Sequence, residues 1–147
     1  MSDFIRQSLL FPFIQSIHIL GLTVLVGTIA LMDLRLLGIA MRRQAVDELA
    51  AGVAPWSLAG LFTVLATGPL LFWADIPRYL SNPAFLLKMV LFAAALGCHF
   101  TIHRAAARPD AAAPTMRQKL PAMLSLLLWS GVVVAGRAIA DFDIRPD

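Results

Sequence analysis

The feature that most constrains this chain is a long apolar run near its start, from Phe11 to Ala40. No charged residue occurs between Arg6 and Asp33. A bilayer core of about 30 Å is crossed by roughly 20 apolar residues in a helix, and this run exceeds that length. The run therefore predicts a membrane-spanning helix, and one titratable side chain, that of His18, lies in its interior.

The composition extends this prediction to the whole chain. Hydrophobic residues make up 59% of the sequence and charged residues 14%, whereas a soluble domain carries about 25% charged residues. The predicted fold class is an all-α integral membrane protein, a single four-transmembrane-helix bundle over residues 1–147. The four spans are predicted at about 11–32, 56–73, 84–103 and 121–140.

Glycines and prolines predict how the spans begin, end and pack. We expect the first helix to continue to Ala40 and residues 41–55 to form a short loop, in which Ala45–Ala50 could be a helical turn on the surface, before Pro55 and Trp56 begin the second span. Gly21 and Gly27 are expected to let a second helix approach the first one closely, because small residues promote helix packing in membranes.

Basic residues predict the orientation of the spans. They concentrate in the first and third loops and beside them, as Arg35, Arg42, Arg43, Arg104, Arg108, Arg117 and Lys119. Because Lys and Arg accumulate in cytoplasmic loops, both termini are predicted to be periplasmic in a bacterial inner membrane. The basic residues form no stripe interleaved with aromatic side chains, so nucleic acid is excluded as a partner. The lipid bilayer is the first partner that the sequence predicts.

Three polar side chains on different spans are predicted to converge. By helix rise, His18 lies ~9 Å, Lys88 ~6 Å and Arg137 ~5 Å below the same, extracytoplasmic surface. Ionisable groups inside spans are costly and commonly functional. The alternatives are structural: His18 as a neutral imidazole bonded to a hydroxyl or carbonyl of another helix, and the two cations extended towards the lipid headgroups.

A second set of histidines lies towards the opposite surface. His99 and His103 are four residues apart and share one helix face. With His18 they are the candidate metal ligands of the chain, although the pair also suits a simple interfacial position. His18 and His99 differ in predicted depth by ~13 Å, so they do not ligate one shared haem. Asp33 and Arg35 point to different faces of the first helix and are expected to pair with other helices. Cys98 is expected to be a packing residue.

Haem suits the three converging side chains. Its iron accepts a neutral histidine as axial ligand, and its propionates favour Lys or Arg near an interface. The sequence thus predicts haem b as cofactor, with His18 as axial ligand, Lys88 as second ligand or propionate partner, and Arg137 as propionate partner. The function would be electron transfer to or from quinone, or redox chemistry on porphyrins, and whether the chain is an enzyme is left open.

Five short segments carry a resemblance to known proteins. They are Ser16–Gly21, Asp33–Gly38, Pro55–Trp56, Asn82–Phe85 with Lys88–Met89, and Gly136–Ala140. They are similar to segments of small uncharacterised four-span bacterial membrane proteins, and the similarity covers most of the chain. More distantly, the layout resembles HemJ-type protoporphyrinogen oxidases and CopD-type copper-resistance membrane proteins. The HemJ resemblance implies haem-binding roles for His18, Lys88 and His99.

Two other classes of function fit the same sequence. One is a non-catalytic accessory subunit of a larger membrane complex, or a homo-oligomer, in which Asp33, Arg35 and Arg137 form ion pairs between helices or subunits. The other is a small proton- or metal-coupled transporter that uses His18 together with His99 and His103.

Overall fold

A computed structural model shows five helices in the residues that it describes, four of them long and one short. The structure describes the backbone of residues 9–106 and 116–142, and the side chains of 9–102 and 116–142. No strand occurs in those ranges, and four helices are long and apolar enough to cross a membrane. The helices are α1 Leu10–Leu36, α2 Val46–Ala74, α3 Ile76–Leu80, α4 Pro83–Ala106 and α5 Met116–Asp141. The predicted all-α, four-helix membrane bundle is confirmed.

The first helix stops short of its predicted end at Ala40, so that prediction is wrong. Gly38 has a φ of 74°, a left-handed conformation that glycine adopts without steric cost. Its N–H donates to the carbonyl oxygen of Arg35, and the N–H of Ile39 donates to that of Leu34, each at 3.0 Å. These two bonds satisfy carbonyl groups in the last turn and reverse the chain, which is how a Schellman motif ends a helix.

The second helix begins at Val46, so the predicted loop over 41–55 is wrong for its last ten residues. Asp47 and Glu48 lie in the first turn, where negative charge interacts favourably with the helix dipole. Pro55 lies inside the helix rather than at its start. One face of this added length is buried against the end of α1, and its residues are Val46, Leu49, Ala50 and Val53.

Close contact between backbones joins α1 and α2 into an antiparallel hairpin. A Cβ placed on Gly60 would lie 2.7 Å from the backbone N of Leu25 and 2.8 Å from the carbonyl oxygen of Gly21. The expected close approach at Gly21 is therefore confirmed. The same expectation for Gly27 is wrong, because a Cβ there would meet no atom within 4 Å.

A polar contact continues this seam beyond the glycines. The Ser57 hydroxyl donates to the hydroxyl oxygen of Thr28 at 2.8 Å, and the Thr28 hydroxyl in turn donates to carbonyl oxygens of its own helix. Hydrogen bonds of this kind satisfy polar side chains inside a membrane bundle. The α1–α2 hairpin is thus held by small residues and hydroxyl groups along much of its length.

A second antiparallel hairpin is formed by α4 and α5. The rings of Phe92 and Trp129 meet edge to face with centroids 5.8 Å apart. At one end, the buried Asn82 amide donates to the carbonyl oxygen of Ile139 at 2.9 Å, and its side-chain oxygen accepts from the N–H of Ala84 at 3.0 Å. Asn82 therefore both caps the start of α4 and attaches it to the end of α5.

The two hairpins meet chiefly through α1 and α5. A buried apolar cluster at their centre contains Leu25, Ile29, Val64, Ala95, Trp129 and Val132 and so draws on all four long helices. Away from this interior, large apolar side chains between 54% and 74% exposed occur on every long helix, among them Ile19, Phe62, Val90 and Val134. An apolar outer surface of this kind suits lipid, and it supports a multi-pass membrane protein.

Candidate functional site in the interior of the bundle

His18 lies on the α1–α2 seam, and a chain of hydrogen bonds orients its ring. The Thr67 hydroxyl donates to the carbonyl oxygen of Thr63 at 2.6 Å. Since a hydroxyl has one hydrogen, Thr67 Oγ1 can only accept from the imidazole, whose Nδ1 lies 2.8 Å away. This contact assigns the proton to Nδ1 and leaves the lone pair on Nε2.

The surroundings of the His18 ring are small. A Cβ on Gly68 would lie 3.6 Å from Cε1 of the ring, so the absence of a side chain at Gly68 leaves one edge of the imidazole uncovered from α2. The ring itself is half-buried. Thr67 and Gly68 together therefore hold the imidazole without enclosing it.

Lys88 approaches the same region from α4. Its side chain is half-buried and runs over Gly136 of α5, where a Cβ would lie 3.6 Å from both Cε and Nζ. The ammonium group is close enough to the His18 ring to act on it electrostatically. Among the side chains that the structure describes, none forms an ion pair with Lys88. The structure thus brings His18 and Lys88, from the two different hairpins, into one interior region.

Arg137 does not join them. Its side chain is 72% exposed and forms an ion pair with Asp141 one turn further along α5, with Nη1 and Oδ1 3.1 Å apart. Gly136 faces Lys88, whereas Arg137, the next residue, projects in another direction. Of the three side chains predicted to converge, two are therefore together and the third lies on the surface.

Three aromatic rings that the sequence analysis did not single out close this end of the bundle. The Phe85 ring stacks on Phe72 with centroids 5.6 Å apart, and it contacts Tyr79 at 5.2 Å. Phe72 is four residues after Gly68, and Phe85 is three before Lys88, so each shares a helix face with a residue of the site. This spacing from Gly68 and Lys88 is the sequence signal by which Phe72 and Phe85 can be assigned to the site. We call Phe72, Tyr79 and Phe85 the aromatic cap.

The other two histidines lie apart from this region. His99 is half-buried on α4, eleven residues or ~16 Å of helix rise from Lys88, and its ring neighbours that of Phe100 with centroids 5.6 Å apart. The side chain of His103 lies outside the described residues. Within the described ranges, no group of three or more His, Cys, Asp or Glu side chains is placed to hold a metal ion. The metal-binding roles of His18, His99 and His103 remain predictions.

A second interior group occurs where α1 crosses α5. Asp33 is 1% exposed, and Ser125 of α5, with 0% exposure, lies beside it. Trp129, 1% exposed, lies one turn further along α5. Asp33 Oδ2, Ser125 Oγ and Trp129 Nε1 form no hydrogen bond with any described residue. Arg35, two residues on, turns elsewhere and donates to the carbonyl oxygen of Gln44 at 2.8 Å. The prediction that Asp33 and Arg35 point to different faces is confirmed.

Cys98 of α4 completes this group. Its thiol donates to the carbonyl oxygen of Pro121 at 3.4 Å, and it is close enough to Asp33 to interact with the carboxyl electrostatically. It also packs against the apolar cluster at that end of the bundle, as a packing residue would. We call Asp33, Cys98, Ser125 and Trp129 the Asp33 cluster.

Comparison with known proteins gives one match. A family model described as a family of unknown function, DUF6644, matches residues 7–142. No curated protein and no solved structure matches the chain. The predicted similarity to an uncharacterised family is therefore confirmed. The likeness to the HemJ and CopD types has no support beyond the sequence pattern.

Proposed function

We propose that this chain, which belongs to the DUF6644 family, is a haem b protein in which His18 is an axial ligand of the iron. Its role would be electron transfer with quinone as the lipid-soluble partner, or redox chemistry on a porphyrin. It would reside in the bacterial inner membrane with both termini in the periplasm, as the loop charges favour.

The orientation of the His18 ring is the observation that carries this proposal. A histidine that binds a metal through one ring nitrogen commonly donates the N–H of the other to a neighbouring group, which fixes the tautomer and the ring plane. Thr67 provides that neighbour at 2.8 Å, with its own hydrogen directed to Thr63. The nitrogen left with the lone pair, Nε2, is the one that an axial ligand uses.

The side chains around His18 match the parts of a haem. Gly68 and Gly136 carry no side chain at the places where His18 and Lys88 approach them, so both polar side chains lie against a bare stretch of the neighbouring helix. The aromatic cap offers flat apolar surface of the kind that a porphyrin ring contacts. Lys88 carries a positive charge without a described ion-pair partner, as a propionate would require. Bound haem would supply one-electron chemistry, which no side chain of this site provides by itself.

The role of Lys88 has two versions, and substitution separates them. A propionate partner needs only a positive charge, so Lys88→Arg should keep haem affinity and leave the spectrum unchanged. A second axial ligand needs the amine lone pair, so Lys88→Arg should change the positions of the haem bands. Arg137 could take part only by leaving Asp141, to which it is bonded in the described structure.

Absorption spectroscopy tests the proposal. The wild-type protein, purified from membranes of cells supplied with a haem precursor, should show a Soret band and an equivalent amount of iron. His18→Ala should lose both while keeping its helical circular dichroism and its elution volume. His99→Ala is the matched control, since it also removes an imidazole from a spanning helix, and it should keep the band. A folded wild-type protein that stays colourless after addition of haem would contradict the proposal.

A further inference from the structure

The Asp33 cluster is separate from the proposed haem site and takes no part in it. Asp33 lies fifteen residues after His18 on the same helix, or ~22 Å of helix rise away. Its carboxyl, the Ser125 hydroxyl and the Trp129 indole N–H are all buried at the crossing of the two hairpins. Each has a polar atom without a hydrogen-bond partner in the described part of the chain. Native interiors rarely contain such atoms, and those present call for a physical explanation.

The groups that face Asp33 offer no compensating positive charge. From α4 comes the Cys98 thiol and from α5 the neutral Ser125, and the indole of Trp129 lies one turn further along α5. The adjoining face of α2 is apolar, formed by Leu49, Ala50 and Val53, which pack against Met32 and Leu36 on either side of Asp33. An ionised carboxylate in such surroundings loses its hydration and gains no ion pair among the described side chains.

A proton on the Asp33 carboxyl would remove its buried charge and add a hydrogen-bond donor to this cluster. A neutral acid has one O–H to donate and one oxygen that accepts. Ser125 Oγ can accept that O–H, and an N–H donor, Trp129 Nε1, lies one helical turn further along α5. A bound proton therefore gives the carboxyl a hydrogen to share with Ser125, in the position where the described structure leaves both groups unpaired.

We propose that the Asp33 cluster is a proton-binding site that exchanges with water at the α1–α2 loop end of the bundle. Binding transfers a proton from a hydronium ion to the carboxylate: a new O–H bond forms on Asp33, and a water molecule leaves. Asp33 lies three residues before the end of α1, which places it ~4.5 Å of helix rise from that end. This site is independent of haem and of His18.

Labelling with a lipid-soluble carbodiimide tests this site. The reagent reacts with protonated carboxyls in membrane interiors: the acid O–H adds across one C=N bond, oxygen bonds to carbon, and the proton passes to nitrogen. A subsequent acyl shift to nitrogen gives a stable adduct that carries the whole reagent mass, and no group leaves. Peptide mapping by mass spectrometry of the wild-type protein in sealed vesicles then identifies the labelled residue.

We expect Asp33 to be labelled by the lipid-soluble reagent and to be protected from a water-soluble one. The exposed Asp141, which pairs with Arg137, is the control and should show the opposite preference. Labelling of Asp33 should fall when the pH is raised on the side of the α1–α2 loop, and it should not respond to the pH on the other side.

Labelling of three variants tests the proposal further. His18→Ala should label at Asp33 as the wild type does, so failure of the haem proposal leaves this test intact. Asp33→Glu should retain labelling at this position, whereas Asp33→Asn should remove it. The proposal is overturned if Asp33 in the wild-type protein is never labelled, or if its labelling does not change with pH on the loop side.

Discussion

Substitution of Gly60 by alanine tests the account of how the first hairpin is held together. The new Cβ would lie 2.7 Å from the backbone N of Leu25, 2.8 Å from the carbonyl oxygen of Gly21 and 3.0 Å from the Cα of Leu25. These are backbone atoms, so no side-chain rotation can relieve the overlap. Reaching an ordinary contact of 3.4 Å requires α1 and α2 to separate by about 0.7 Å at this point.

The cost of that separation has two parts. Overpacking of a well-packed interior typically costs about 1–3 kcal/mol. The same movement would stretch the 2.8 Å bond between Ser57 and Thr28 towards 3.5 Å, the limit of a useful hydrogen bond, and a lost bond of this kind costs about 0.5–1.5 kcal/mol net. Gly60→Ala should therefore destabilise the bundle by roughly 2–4 kcal/mol.

Equilibrium unfolding in mixed detergent micelles, followed by circular dichroism, measures this difference. Gly27→Ala is the matched control: it makes the same chemical change in a spanning helix of the same hairpin, where the new Cβ meets nothing within 4 Å. Its stability should equal or exceed that of the wild type, since alanine favours helix over glycine by about 1 kcal/mol. Equal stabilities for Gly60→Ala and Gly27→Ala would refute the close backbone contact.

Five further substitutions test the site and the attachment of α4 to α5. Thr67→Val removes the acceptor of the His18 N–H and should weaken haem affinity about 10- to 100-fold in a haem titration, whereas Thr67→Ser should keep it. Lys88→Met should weaken haem binding in the same titration, whereas Arg137→Ala should leave haem binding unchanged. Arg137→Ala should lower the stability of the bundle by no more than about 1 kcal/mol, because the ion pair between Arg137 and Asp141 is exposed. A loss of haem in Arg137→Ala but not in Lys88→Met would reverse these assignments. Asn82→Ala removes the bond to the end of α5 and the cap of α4, and should cost about 1–3 kcal/mol in detergent unfolding; an unchanged midpoint would contradict this role.

The sequence predicts the four spans because their signal is local. Long stretches without charged residues determine which segments enter the membrane, and this does not depend on how the helices pack against one another. Helix ends depend on finer signals. The end of α1 differs from the prediction because the apolar run continues past Gly38, whose left-handed conformation ends the helix. The start of α2 differs from the prediction because Pro55, expected at the beginning of the second span, is the tenth residue of the helix.

The sequence predicts how far along its helix each residue of the candidate site lies, but only partly the direction in which each side chain points. Helix rise gave the levels of His18, Lys88 and Arg137, whereas the direction in which each side chain points depends on how its helix is rotated against its neighbours. That rotation brought Lys88 towards His18 and turned Arg137 outwards to Asp141.

The Asp33 cluster shows a second limit of reasoning from the sequence. The sequence predicts that Asp33 pairs with another helix, and this pairing stays a prediction because Asp33 Oδ2 forms no hydrogen bond with any described residue. The sequence does not indicate that Ser125 lies near Asp33, because a serine in an apolar helix is ordinary until packing places it beside a buried carboxyl.

The central claim is that His18 binds haem iron through Nε2, and electron–nuclear double resonance tests it most directly. The chain contains 3 histidines, so protein grown with histidine labelled by ¹⁵N at Nε2 carries few sources of signal. The account predicts strong hyperfine coupling between ferric haem and a labelled nitrogen in the wild type and in His99→Ala, and its loss in His18→Ala. Coupling that persists without His18, or disappears without His99, would contradict it.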